Sequence, residues 1–475
     1  MITTNAAHAR DTVLARIHAN GSAPALFWRG TEYTYDFFCN LIEQWCTRLD
    51  ADGVGRGAVC GFLGEYSPNV CALMFALLRR DSILVPFTPS PEAELRSFLE
   101  LAGVQALYRF DQSDRWAFES FFNSAQNELI ESFRPHSRPG LVVFTSGSTG
   151  RPKGILHDCE RVMRKFVVQR SGWRTVLFLL MDHFGGFNTL LSTLAYCGTG
   201  VLLPDRSVDS VCRAIQQSRA TLLPTTPTFL NLLIASGAYR EFDLSSIRLI
   251  TYGTEVMTEA TLQNVRRLFP NAQIKQTYGL SELGVLRSRS ESDDSVWVKM
   301  GGQGFEVKVV DSMLWVRSEA NMVGYLNAPS PFDKDGWMCT GDEVQIRGEF
   351  IRILGRKSDV INVGGQKVFP VEVESVVLED ENVSEVTVYG ASHPLMGNVV
   401  HARISLQQAE DPSVLTERLR RLCLSRLARY KVPVKFNIVN ESVQRGSRFK
   451  KIREAGNDGP IETPVKGGKC AIAES

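Results

Sequence analysis

The sequence predicts an α/β protein: a large N-terminal domain of helix-flanked β-sheets with a short-stranded β-rich subdomain, then a small mobile α+β C-terminal domain. Three observations predict it. Strand-length apolar runs alternate with helical segments over residues 33–88 and again over 141–282. Residues 296–355 change to short strands, and a compact helix–strand series follows residue 357.

Residues 35–49 and 69–79 carry helical patterns, with strands expected at 58–61 and 83–86, an alternation that argues for sheets covered on both faces. Leu141, Val142, Val143 and Phe144 form an apolar, largely β-branched run expected to be a buried strand, and 155–169 has the length and mixed apolar pattern of a helix. Further strands are expected at 175–180, 200–203, 248–252 and 272–276. In the β-rich stretch they fall at 307–310, 313–316, 343–346 and 350–354, the last two joined as a hairpin by Arg347, Gly348 and Glu349.

Pro370 can open a helix to residue 378, because its fixed φ and missing N–H suit a first turn. Strands follow at 384–389 and 399–405. Asp411 and Pro412 then start a helix whose Leu415, Leu419 and Leu422 make one apolar stripe, and 434–439 is a last strand. Apolar periodicity stops near residue 456, so the remainder is expected to be a loose tail.

With 475 residues the chain exceeds one typical domain, and 53 Lys+Arg against 52 Asp+Glu give no bulk charge to hold nucleic acid or a membrane surface. No apolar run approaches a membrane span. Met1, Ile2, Thr3, Thr4 and Asn5 offer neither a basic start nor an apolar core, so no signal peptide is expected. Ten cysteines without a C-x-x-C pair or zinc-like histidine spacing read as reduced thiols of a cytoplasmic protein.

The expected strand 141–144 runs into Thr145, Ser146, Gly147, Ser148, Thr149 and Gly150, followed by Arg151, Pro152, Lys153 and Gly154. Glycines let backbone N–H groups turn toward an anion, hydroxyls donate further bonds, and Lys153 adds a mobile positive charge. The glycine spacing differs from the common P-loop, and Gly154 follows Lys153 where that loop has Ser or Thr. The loop should hold the phosphates of a nucleotide in neither a GTPase-like nor a kinase-like enzyme.

Three motifs follow in order. Gln276, Thr277, Tyr278, Gly279, Leu280, Ser281 and Glu282 come first, then Trp337 to Asp342 with Thr340 and Gly341 before the aspartate, then Gly355, Arg356, Lys357, Ser358 and Asp359 leading to Gly364 and Gly365. With the first loop, this series resembles the adenylate-forming superfamily of acyl-CoA and aryl-CoA synthetases, luciferases and peptide-synthetase adenylation domains, over nearly the whole chain.

The resemblance implies that a carboxylic acid is joined to the α-phosphate of ATP with loss of pyrophosphate, and that the acyl group then passes to a thiol. CoA is the first expectation, a carrier-protein phosphopantetheine the runner-up; a stand-alone enzyme delivering to an amine and a non-catalytic nucleotide sensor are other classes. It implies that residues 145–153 hold the β- and γ-phosphates, that Glu282 holds Mg²⁺, and that Ser281, where the family usually has Thr, binds phosphate. Tyr278 would offer an aromatic face for stacking on adenine, Gly279 would belong to the same nucleotide site, and Thr254 would border adenine in a segment that matches loosely because Tyr252 stands where a glycine is common. Asp342 would take both ribose hydroxyls, and Arg356 a ribose or phosphate oxygen.

It places a hinge at Ser358, where the family usually has Asp or Lys, dividing the chain into 1–357 and 358–475. Lys450 aligns with the family's catalytic lysine, which would bridge carboxylate and α-phosphate; Phe449 replaces the glycine before it and Lys451 is the competing candidate. Gly364 and Gly365 would line the thiol channel, or else serve only as a β-bulge pair. The segment from Asp182 to Asn188 is similar to the family's acid-pocket segment: His183 would shape the carboxylate end, and Phe184, Gly185, Phe187 and Phe229 the apolar lining. Relatives that activate α-amino acids place an aspartate where Phe184 stands, so a fatty or aryl acid is the expected substrate.

Overall fold

The computed structural model describes residues 8–89, 91–121, 127–145, 152–286, 288–302, 304–394, 396–439, 451 and 453. The chain divides into two compact units, 1–357 and 358–475.

The first unit carries two seven-stranded sheets and one of six strands. In one seven-stranded sheet, Gln273–Gln276, Leu249–Tyr252, Leu222–Thr225, Arg174–Val176, Thr199–Val201 and Pro24–Trp28 run parallel, and Thr31–Thr34 closes the edge as a hairpin. In the other, Gly140–Thr145, Ile83–Phe87, Val59–Leu63 and Ala106–Phe110 are parallel, with antiparallel strands at both edges. Helices Tyr35–Ala51 and Pro68–Arg79 contribute to a core holding Trp45, Phe38 and Phe75, where purely apolar strands need cover on each face. Thr34 and Ser67 cap those helices through their hydroxyls. The six-stranded sheet is antiparallel throughout and includes the expected hairpin, Met338–Arg347 with Phe350–Arg356.

The strand expected at 175–180 is only Arg174–Val176, and one expectation fails outright. Residues 155–169 do not form a helix after the glycine-rich loop. Lys153–Asp158 is a strand antiparallel to Gly140–Thr145, with Thr145 opposite Lys153, and the only α-helix in that stretch is Cys159–Met163. Its residues 154–158 are all buried, and a short continuous apolar run has no period to separate strand from helix. The strands on either side of the glycine-rich segment are therefore antiparallel partners, and the residues between them lie outside the described ones.

The second unit holds a five-stranded sheet in which Val383–His393 and Gly397–Leu406 pair along their whole length and Lys435–Ile438 adds in parallel. Helices Pro370–Val377 and Pro412–Arg426 contribute to its core, the second capped by Asp411 and burying Leu415 and Leu419.

Candidate active site

Thr145 and Lys153 end the two strands of the loop hairpin; Ser146, Gly147, Ser148, Thr149 and Gly150 lie outside the described residues. A third strand, Gly324–Tyr325, lies along the Lys153 arm, setting Tyr325 opposite Ile155. The Lys153 ammonium sits 4.7 Å from the centroid of the Tyr325 ring. The same tyrosine donates its hydroxyl to Glu282 Oε1 at 2.7 Å, and the Met322 N–H donates to the Glu282 carbonyl at 2.9 Å. The expected phosphate lysine and metal carboxylate thus meet at one aromatic residue that the sequence motifs did not single out. Its only signal was an aromatic one place after Gly324.

Asp342 is 6% exposed and both its oxygens are engaged: Oδ2 accepts from the Tyr278 hydroxyl at 2.5 Å, and Oδ1 lies 3.4 Å from Arg356 Nε. Asp342 and Arg356 stand directly opposite one another in adjacent strands, so the pairing is set by register. Burial, then the Asp342 carboxylate, push the Tyr278 phenol well above its ordinary range, so it stays a donor. Tyr278 belongs to the core of the β-rich subdomain, which leaves little of its face for stacking. Gly279 pairs with Val285 in the short hairpin that carries Ser281 and Glu282 between its strands.

Thr254 is exposed and holds φ at +69°, a left-handed backbone that a β-branched residue adopts only under constraint. Next to it, Glu255 Oε2 accepts from Thr228 Oγ1 at 2.6 Å.

His183 is half-buried at the N-cap of helix Phe184–Ala195, and Gly185 is half-buried in its first turn. Phe184, 2% exposed, packs tilted against His157 with ring centroids 4.5 Å apart, while Phe187 is enclosed in the core and Phe229 packs on Phe178 at 4.5 Å. Asp182 is buried and accepts from Thr88 Oγ1 at 2.7 Å. His157 is wholly buried beside the backbone of Ser281, yet neither ring nitrogen makes a hydrogen bond of ordinary geometry among the described residues. Burial lowers its pKa more than the Ser281 backbone restores it, Lys165 lowers it further, and the imidazole is held neutral to about pH 4.

In the second unit Gly364 and Gly365 are the two central residues of the hairpin joining Ile361–Val363 to Gln366–Val368, with φ of +55° and +84°. Both angles are what a two-residue type I′ turn demands, and they explain the glycine pair as a turn rather than a bulge. Ser358 donates to Asp359 in a single 3₁₀ turn. Lys450 lies outside the described residues. Lys451 Nζ is bound at 2.8 Å to Glu374 Oε2, with Arg453 Nη1 on Oε1 at 2.5 Å. Burial alone would raise the Glu374 carboxyl, but Arg453 and Lys451 outweigh it and hold it at about 2.

A lysine and a glutamate held on one tyrosine, a buried aspartate between Tyr278 and Arg356, and a separate α+β unit are features of a two-domain enzyme. The chain belongs to the AMP-binding enzyme family: residues 14–326 match its main domain and 372–449 its C-terminal domain. It is of the acyl-CoA synthetase type within the adenylate-forming superfamily. Its relatives include an indoleacetate–CoA ligase of Aromatoleum aromaticum, 26% identical over 86% of this chain and 90% of that protein. A 2-succinylbenzoate–CoA ligase of Bacillus pumilus is 27% identical over 92% and 95%. Among solved structures, the anthranilate CoA ligase AuaEII in complex with anthranoyl-AMP superposes with a TM-score of 0.79 over 94% of this chain and 95% of that one, at 21% identity.

Proposed function

We propose that this enzyme joins an aryl carboxylic acid to ATP, releases pyrophosphate, and passes the acyl group from the acyl-adenylate to the thiol of CoA. The observation that carries the reading is the pairing of family membership with the Lys153–Tyr325–Glu282 and Tyr278–Asp342–Arg356 contacts, which set a cation, a carboxylate and a hydroxyl acceptor on one unit. Two anions must meet in the first step, so positive charge is needed at the phosphates. Lys153 supplies it from the hairpin, and Lys450 is the residue assigned to the α-phosphate. Lys451 is committed to Glu374, which favours Lys450 for that role.

Glu282 is the residue that would hold Mg²⁺. Among the described residues there is no cluster of three or more acidic, His or Cys side chains that could hold a metal. When bound, Mg²⁺ would supply charge against the leaving pyrophosphate.

An aryl acid is favoured by the relatives' named substrates and by Phe184, which offers a substrate ammonium no counter-charge. Fatty acids remain in the test panel. The reading includes a cytoplasmic location, supported by the free cysteines among the described residues; no described helix is long and apolar enough to cross a membrane.

Pyrophosphate release over a panel of aryl, fatty and α-amino acids, with and without CoA, tests the reading. Aryl acids should be fastest, and CoA should sustain turnover. Absence of pyrophosphate with every acid overturns the activity, and preference for a common α-amino acid overturns the substrate class.

A further inference from the structure

We propose that Tyr325 is a positioning residue that holds the phosphate lysine and the metal carboxylate apart and in register, so that neither neutralises the other before ATP arrives. The proposal rests on the nucleotide and metal roles assigned above to Lys153 and Glu282.

Three observations carry it. First, the ring of Tyr325 carries the Lys153 ammonium on its face while its hydroxyl donates to Glu282 Oε1, so one side chain with two torsions sets both partners. Among the described residues Lys153 and Glu282 form no ion pair with each other: the lysine lies over the ring and the glutamate takes the hydroxyl. A direct pair between them would have to be broken before either bound phosphate or a cation.

Second, the backbone around Tyr325 is fastened to the loop arm on both sides. The Val323 N–H donates to the Leu156 carbonyl at 2.7 Å and the Leu326 N–H to the Gly154 carbonyl at 2.8 Å. Asn327 brackets Lys153 itself: its Oδ1 accepts from the Gly154 N–H at 3.2 Å and its Nδ2 donates to the Pro152 carbonyl at 2.9 Å. A Cβ at Gly154 would lie 2.8 Å from Leu326 Cδ1 and 3.1 Å from Phe144 Cε1, so a side chain directly after the lysine would have to displace both. Third, the strand is tied to the metal carboxylate by the Met322 N–H on the Glu282 carbonyl.

The test is a double-mutant cycle read by binding as well as turnover. ATP binding is titrated against Mg²⁺ by calorimetry in the absence of any acid, for the wild type, Tyr325→Phe, Glu282→Gln and the double variant. Tyr325→Phe keeps the ring and removes one charge-assisted hydrogen bond. It should raise the Mg²⁺ concentration for half-maximal tightening of ATP about tenfold while changing metal-free ATP affinity less than about twofold. Tyr325→Leu, which also removes the ring, should weaken metal-free ATP binding in addition. In the double variant the Tyr325→Phe effect should vanish, because its partner is already altered. Thermal unfolding of each variant checks that the fold is kept.

A wild-type Mg²⁺ curve for Tyr325→Phe, or effects that simply add, overturns the proposal. If the wild type binds ATP with Mg²⁺ but releases no pyrophosphate with any acid, the functional reading falls while this one stands. If pyrophosphate is released and the cycle is additive, the reverse holds.

Discussion

Asp342 shows how a binding residue and a structural one can share the same atoms. Its Oδ2 satisfies the buried Tyr278 hydroxyl, so Asp342→Ala would orphan that donor at about 1–3 kcal/mol and weaken ATP as well. Asp342→Asn separates the two: the amide oxygen can still accept from Tyr278, but the charge that strengthens bonds to ribose hydroxyls is gone. The expected result is near-native thermal stability with ATP affinity about tenfold weaker, measured by calorimetry. Unchanged ATP affinity in the Asn variant would make Asp342 a packing residue only. His157 gives a second residue-scale prediction. Its folded pKa of about 4 lies below the usual value of 6.5, so the unfolded chain binds the extra proton first as pH falls. Stability should be full above about pH 6.5 and decline between 6.5 and 4, by up to roughly 3 kcal/mol. His157→Phe should flatten that decline in urea titrations at stepped pH; an unaltered slope would show that other groups set it.

At the scale of elements, what the sequence made legible depended on period and punctuation. Alternation and turn residues located the strands around Gly348, and Asp411 with Pro412 located a helix start to the residue. The run from Ile155 had neither a clear period nor a breaker, so a helix was expected where the structure has a strand followed by the short helix Cys159–Met163. Long-range contacts were illegible for a different reason. Tyr325 meets Glu282 across 43 positions and Lys451 meets Glu374 across 77, and no local pattern encodes either partner. The Glu374 cluster carries its own prediction. Its carboxyl is depressed to about 2 from 4.5, so its stabilisation is present above about pH 4.5 and is lost as pH falls toward 2. Glu374→Ala leaves two cations beside a buried, empty position and should destabilise the C-terminal unit by about 3–5 kcal/mol. Proteolytic susceptibility of residues 358–475 reports it; native-like resistance would mean the two cations find water instead.

For the whole molecule, the question is whether the two half-reactions draw on different parts of the C-terminal unit. Lys450, assigned to the first transition state, should be needed for adenylate formation and not for thioester formation from a supplied acyl-adenylate. Lys450→Ala is therefore expected to lower pyrophosphate release by a factor of about a hundred or more, with stability unchanged. Lys451→Ala should do the opposite, costing stability through Glu374 and sparing adenylation chemistry, because its ammonium is already bound within its own unit. Gly365 requires two variants, since its φ of +84° strains any side chain while an added Cβ meets nothing within 4 Å. Gly365→Ala carries the strain of about 1–2 kcal/mol without bulk, and Gly365→Leu carries the strain with bulk. If the turn lines the path of the thiol, Leu should lose thioester formation far beyond Ala while adenylation stays the same in both. Equal losses in Ala and Leu would reduce the glycine pair to its turn, and equal loss of both half-reactions in the Lys450 and Gly365 variants would end the division of labour.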